Sequence, residues 1–140
     1  MKVAFLFNFL PEIGGGHFKR CSNLALKLKK HGAKVSFITN KNNIIKKFAQ
    51  EKNIQIFSLE NKKNFLKNSE IIAVLRKIGN LDLVIIDDYK SSYKEEKLFS
   101  KYTKKILVID DLNKNKHYCD YYLNYSPSIK KEKIKLIKII

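Results

Sequence analysis

The run Leu81-Asp82-Leu83-Val84-Ile85-Ile86 leaves this chain few ways to fold. A half-exposed strand alternates polar and apolar residues, whereas this run is apolar at nearly every position. Such a strand is covered on both faces, and that belongs to a parallel sheet with helices above and below. Residues 105–109 form a second apolar run. Both end in paired acids, Asp87-Asp88 and Asp110-Asp111.

The rest of the chain supplies the matching elements. Residues 2–7, 34–39 and 54–59 read as further strands, and residues 119–124 as a short last one. Phe18, Cys21, Leu24, Ala25 and Leu28 recur at helical spacing and predict a helix over 17–30, closed by Gly32. Ile44, Ile45, Phe48 and Ala49 mark a second helix. Phe65, Ile71, Ile72, Leu75 and Ile78 mark a third over 64–78, which Gly79-Asn80 stops. Residues 93–102 read as a fourth. Alternating strands and helices predict an α/β fold, a Rossmann-like parallel sheet with helices on both faces. Right-handed crossovers put the first strand beside the fourth. Ligands of such sheets bind where the winding reverses, beyond the carboxyl ends of the strands.

Two loops are predicted to meet there. One is Asn8 to Arg20, with Gly14-Gly15-Gly16 running straight into His17. A glycine turn between a strand and a helix brings bare N–H groups and the positive end of the helix dipole up to an anion. Neither familiar phosphate fingerprint is complete: Lys19 stands where the third glycine of G-x-G-x-x-G belongs, and His17 where the P-loop lysine does. A tight turn that packs helix on strand explains the glycines equally well. A helix N-terminus disfavours an imidazolium, which leaves His17 neutral and able to accept a proton. The other loop is Asp87-Asp88-Tyr89. Its acids, with Asp110 and Asp111, suit acid–base work or a metal, but Asp after a strand more often caps the next turn, which is expected of at least two of them. Lys19 and Arg20 either meet a phosphate or are solvated. His31 reads as a helix cap. His117, in a polar loop, carries no signal.

Composition narrows the class. The chain has 140 residues, 44% of them hydrophobic, enough for one domain with a core. The net charge of +16 is nearly all lysine, with arginine only at Arg20 and Arg76. Base recognition leans on arginine's planar fork, so a solvated lysine surface is expected and a nucleic-acid partner is disfavoured. Cys21 and Cys119 make neither a disulfide framework nor a zinc pattern. No membrane span and no leader are expected, and the cytoplasm is the expected location.

Ile13 to Cys21, Leu24-Ala25, Gly32 to Phe37, Ile86 to Tyr89, Ile109 to Asp111, Cys119-Asp120 and Leu123-Asn124 together resemble one family. It is that of the UDP-2,4-diacetamido-2,4,6-trideoxy-β-L-altropyranose hydrolases of pseudaminic acid synthesis, bacterial relatives of the GT-B glycosyltransferases. The resemblance implies the N-terminal half of a GT-B fold over residues 1–125. It fades near Ser126, so residues 126–140, rich in Lys and Ile, would stand where a C-terminal nucleotide-binding domain begins, the chain being either truncated there or completed by another chain. It implies water attack at the anomeric carbon of a UDP-sugar, with inversion and release of UDP. His17 matches the base and Tyr89 a tyrosine lining the sugar site. Asn8, Gly14, Gly15, Gly16, Arg20 and Asp87 complete the expected substrate-binding set. No cofactor and no metal are implied. A glycosyltransferase half that binds the acceptor, and a binding protein without activity, are the alternatives.

Overall fold

A computed structural model describes residues 1–10, 15–60, 63–67 and 69–125. Six strands form one parallel sheet: β1 (Lys2–Phe7), β2 (Lys34–Asn40), β3 (Gln55–Leu59), β4 (Leu81–Asp87), β5 (Thr103–Ile109) and β6 (Tyr121–Leu123). Their order is β3-β2-β1-β4-β5-β6, so the winding reverses between β1 and β4, as expected. Phe5 stands opposite Ile85, and Phe7 opposite Asp87. Helices α1 (Gly16–Lys30), α2 (Asn43–Glu51), α3 (Ser69–Ile78) and α4 (Tyr93–Phe99) connect them.

Alternation along the strands builds two cores. Val3, Phe5, Phe7 and Ile85 pack with Cys21 and Ala25 of α1 and with Ile45 and Ala49 of α2. Ala4, Leu6, Val84 and Ile86 pack on the opposite face with Ile71 and Leu75 of α3 and Phe99 of α4. By this period of two, Asp87 follows Ile85 onto the α1 face.

Local signals account for the ends. Asn42 caps α2, its Oδ1 accepting the N–H groups of Ile44 at 2.9 Å and Ile45 at 3.2 Å. His31 caps α1, and Gly32 follows at φ +88°, a left-handed turn that suits glycine.

Some bounds differ from expectation. The third helix is shorter than 64–78: residues 65–67 form a 3-10 turn before α3 starts at Ser69. The fourth tightens into a 3-10 turn over 100–102. That frees Thr103 and Lys104 to extend β5. The last strand is only Tyr121–Leu123. The expected tail, residues 126–140, and Gly14 lie outside the described residues. Among the described residues no helix is long and apolar enough to cross a membrane.

Candidate active site

Three residues of one α1 face converge on Asp87. His17, Arg20 and Cys21 are three and four positions apart, the spacing that aligns side chains along a helix. Asp87 ends β4 with 0% exposure, in a position that an apolar residue would otherwise fill. A carboxylate placed there needs donors. His17 Nδ1 lies 2.5 Å from Oδ1. Arg20 grips both oxygens, Nη2 to Oδ1 at 2.8 Å and Nε to Oδ2 at 3.0 Å. The Cys21 thiol adds a contact of 3.7 Å to Oδ2. Burial pushes the Asp87 carboxyl up, but the bonds from His17 and Arg20 outweigh it and hold it below the usual value. The same burial, reinforced by Asp87's charge, raises the Cys21 thiol and makes it a poor nucleophile.

This geometry fixes the His17 tautomer. Asp87 only accepts, so at 2.5 Å Nδ1 carries the proton. Arg20 Nη2, 3.3 Å from Nδ1, is then a neighbouring donor and not a hydrogen-bond partner. In the neutral ring Nε2 is then the nitrogen with the lone pair, and it has no hydrogen-bond partner among the described residues. His17 is 3% exposed. Tyr89, half exposed, sets its ring edge against the imidazole with centroids 4.5 Å apart.

Arg20 also reaches the second acidic pair. Its Nη1 donates to Asp111 Oδ2 at 2.5 Å, and the Tyr89 hydroxyl donates to the same oxygen at 3.4 Å. The Tyr125 ring covers the guanidinium at 5.7 Å. Arg20 therefore faces two carboxylates and stands as their anchor, which neither the phosphate contact nor the solvated position left open by the sequence describes. Asp111 Oδ1 is buried and has no partner among the described residues. Asp88 and Asp110 each accept a backbone N–H two residues on, from Lys90 and Leu112, the turn-capping role the sequence allows. Burial raises the Asp88 carboxyl, opposed by the Lys90 N–H.

The remaining expected residues surround this cluster. Asn8 is buried just beyond β1. Gly15 caps α1 at φ −86° and Gly16 opens the helix, both exposed. A Cβ at Gly16 would meet nothing within 4 Å, and one at Gly15 only Phe9 at 3.8 Å. Close packing of helix on strand therefore does not explain these glycines, and the space over their backbone is open.

Two groups gave no usable sequence signal. Asn40 holds the Phe9 backbone by both ends, accepting its N–H at 2.6 Å and donating to its carbonyl at 2.7 Å. His117 is buried between Glu96 and Asp110. Among the described residues no cluster of His, Cys, Asp and Glu is placed to hold a metal ion. A cavity of about 860 Å³ lies between α3 and α4, lined by Leu66, Ile72, Leu98 and Phe99, and it holds none of the residues around Asp87.

The sheet order, with its reversal between β1 and β4, defines a Rossmann-like α/β domain. The chain is similar to the crystal structure of a glycosyltransferase from Rickettsia africae ESF-5, with a TM-score of 0.59 and 23% identity. The match covers 78% of this chain and 29% of that one, so the chain spans less than a third of that glycosyltransferase. No family model and no curated protein matches the chain.

Proposed function

We propose that this chain is the N-terminal, base-carrying half of a nucleotide-sugar hydrolase. The reading rests above all on His17, oriented through Nδ1 by the buried Asp87 with Nε2 left as the acceptor. An imidazole held in this way takes a proton from an oxygen nucleophile, and the carboxylate stabilises the imidazolium that forms. In the proposed step a water proton passes to Nε2. The water oxygen bonds to the anomeric carbon. The bond from that carbon to the UDP oxygen breaks, and the electron pair leaves with the diphosphate. Gly15 and Gly16, exposed at the start of α1, offer backbone N–H groups and the positive end of a helix to that leaving charge. Tyr89 is a half-exposed ring beside the base, suited to line a sugar. Asp111 Oδ1, buried without a partner among the described residues, suits a donor such as a sugar hydroxyl or amide N–H. The choice of a UDP-linked diacetamido sugar, the bacterial origin and the cytoplasmic location rest on the family resemblance.

A second reading keeps the chemistry and changes the nucleophile. The structural neighbour is named a glycosyltransferase, and in an acceptor-binding half the same base would deprotonate a sugar hydroxyl. Both readings call for a nucleotide-binding domain beside this one. One experiment separates them. UDP release is measured from UDP-linked diacetamido sugars, with this chain alone and with the C-terminal domain of a full-length hydrolase. Release into water supports the hydrolase. Release only when an acceptor sugar is added supports the transferase. Silence under every condition from a folded protein overturns both.

A further inference from the structure

Behind the crevice lies a second buried network, centred on His117. Glu96 of α4 is 0% exposed, Asp110 at the end of β5 is 7% and His117 is 5%. His117 Nδ1 lies 2.6 Å from Glu96 Oε1, and Nε2 lies 3.1 Å from Asp110 Oδ2. Ser91 Oγ donates to the same Glu96 oxygen at 2.5 Å, and the Tyr118 N–H donates to the other at 2.6 Å. Both ring nitrogens face acceptors, so both carry protons when both bonds are made. The ring is then an imidazolium between two carboxylates.

The network touches the crevice through one peptide link. Asp110 is bonded to Asp111, whose Oδ2 receives Arg20 and Tyr89. Arg20 in turn holds Asp87, and Asp87 holds His17. We propose that His117 is a positioning residue of the crevice, a doubly donating strut between Glu96 and Asp110 that sets the turn from which Asp111 receives Arg20 and Tyr89. The inference rests on the site described above and not on which reaction it performs.

The surroundings favour the charged ring. Burial alone lowers the His117 value, but hydrogen bonds and charge from Glu96, then Asp110, raise it above the ordinary one. Tyr122 of β6 stands beside the ring, centroids 5.6 Å apart, and its hydroxyl contacts Asp110 Oδ2 at 3.3 Å. Burial, reinforced by Asp110's charge, raises that hydroxyl to about 12, so it stays neutral. Cys119, raised to about 11 by burial and by Glu96's charge, stays a thiol. Lys116, the preceding cation, turns its ammonium over Tyr93 at 6.0 Å. Losing one ring proton would set a lone pair against a carboxylate and release one end of the strut.

Nuclear magnetic resonance of the folded chain tests this without any substrate. Ring nitrogens of His117 and His17, the Arg20 Nε–H and the Tyr89 ring are followed from pH 5 to 9. The expected result is a doubly protonated His117 at pH 6 and an inflection at Arg20 and Tyr89 at the His117 midpoint. His17 has its own ring signals, so its titration is read separately. His117→Gln should abolish that inflection. Should His117→Gln not fold, Glu96→Gln replaces it: the His117 midpoint should drop and the Arg20 inflection should move with it. A singly protonated His117 at pH 6, or a titration that leaves Arg20 and Tyr89 unmoved, would overturn the proposal. Neither result bears on hydrolase activity.

Discussion

His17 Nδ1 and Asp87 Oδ1 meet at 2.5 Å across 70 residues of sequence. One residue lies in the first turn of the first helix and the other ends the central strand β4. In the proposed reaction this contact orients the histidine as the base. Asp87→Asn removes the fixed acceptor and lets the wrong ring tautomer form. If the proposed reaction holds, turnover measured with the C-terminal domain added should fall by ~10²–10⁴. Comparing kcat of the two proteins checks it; equal values would remove Asp87 from the mechanism.

His17→Ala goes one step further along the same line. Turnover should drop by ~10²–10⁴ while the substrate dissociation constant stays within a few-fold. Calorimetry with a UDP-sugar, beside a rate assay, gives both numbers. Retained turnover would show that another group takes the proton.

Arg20→Met leaves Asp87 buried with one charged donor fewer. Breaking a buried pair costs about 3 kcal/mol, read as a lower urea midpoint at pH 7. The pH response has a definite sign. The Asp87 carboxyl is held below its ordinary value in the fold. Its contribution is therefore present above the unfolded value, about 3.9, and is lost as pH falls through the lower folded value. Without Arg20 that folded value rises, so acid unfolding should begin at a higher pH. Identical acid profiles for the two proteins would show that Arg20 does not anchor Asp87.

Asn40→Ala strips both partners from the Phe9 backbone just after β1. An unsatisfied buried polar group costs about 1–3 kcal/mol. Asn40→Asp keeps the acceptor but turns a buried carboxylate oxygen on the Phe9 carbonyl, so it should be at least as destabilising as Asn40→Ala. Denaturant titration of the three proteins tests the order.

Gly16→Ala separates folding from function. A Cβ there meets nothing within 4 Å, and alanine favours a helix over glycine. Thermal stability should hold or rise, by at most about 1 kcal/mol. If a ligand anion approaches that backbone, its affinity should fall. An unchanged UDP-sugar affinity would move the ligand away from the start of α1.

The sheet was legible because burial on both faces writes itself into composition. Leu81 to Ile86 could be little else than a central strand, and the order around β1 and β4 followed from handedness. That order alone was enough to set His17 opposite Asp87 and Tyr89. The partners of Arg20 were not legible. An arginine beside glycines at a helix start looks the same whether it meets a phosphate or two carboxylates, and only the sheet register brings Asp87 and Asp111 within its reach. Glu96 and His117 were hidden for a related reason. Each sits among lysines and tyrosines in a sequence that reads as exposed, and their burial comes from α4 packing against the segment between β5 and β6. Asn40 ends a strand, where a polar residue is ordinary, and its grip on Phe9 follows from the pairing of β1 with β2.

Phe7 and Asp87 stand opposite each other in the β1–β4 ladder, with His17 beyond the end of β1. The short hydrogen bond therefore exists only once two distant strands have zipped together. The proton held between Nδ1 and a carboxylate oxygen at 2.5 Å is expected to resonate far from ordinary amide signals. That single resonance becomes an internal gauge of native topology, absent from any species in which β4 has not docked. Refolding can then be followed at the His17–Asp87 pair itself, whose formation coincides with the closing of the sheet at its centre.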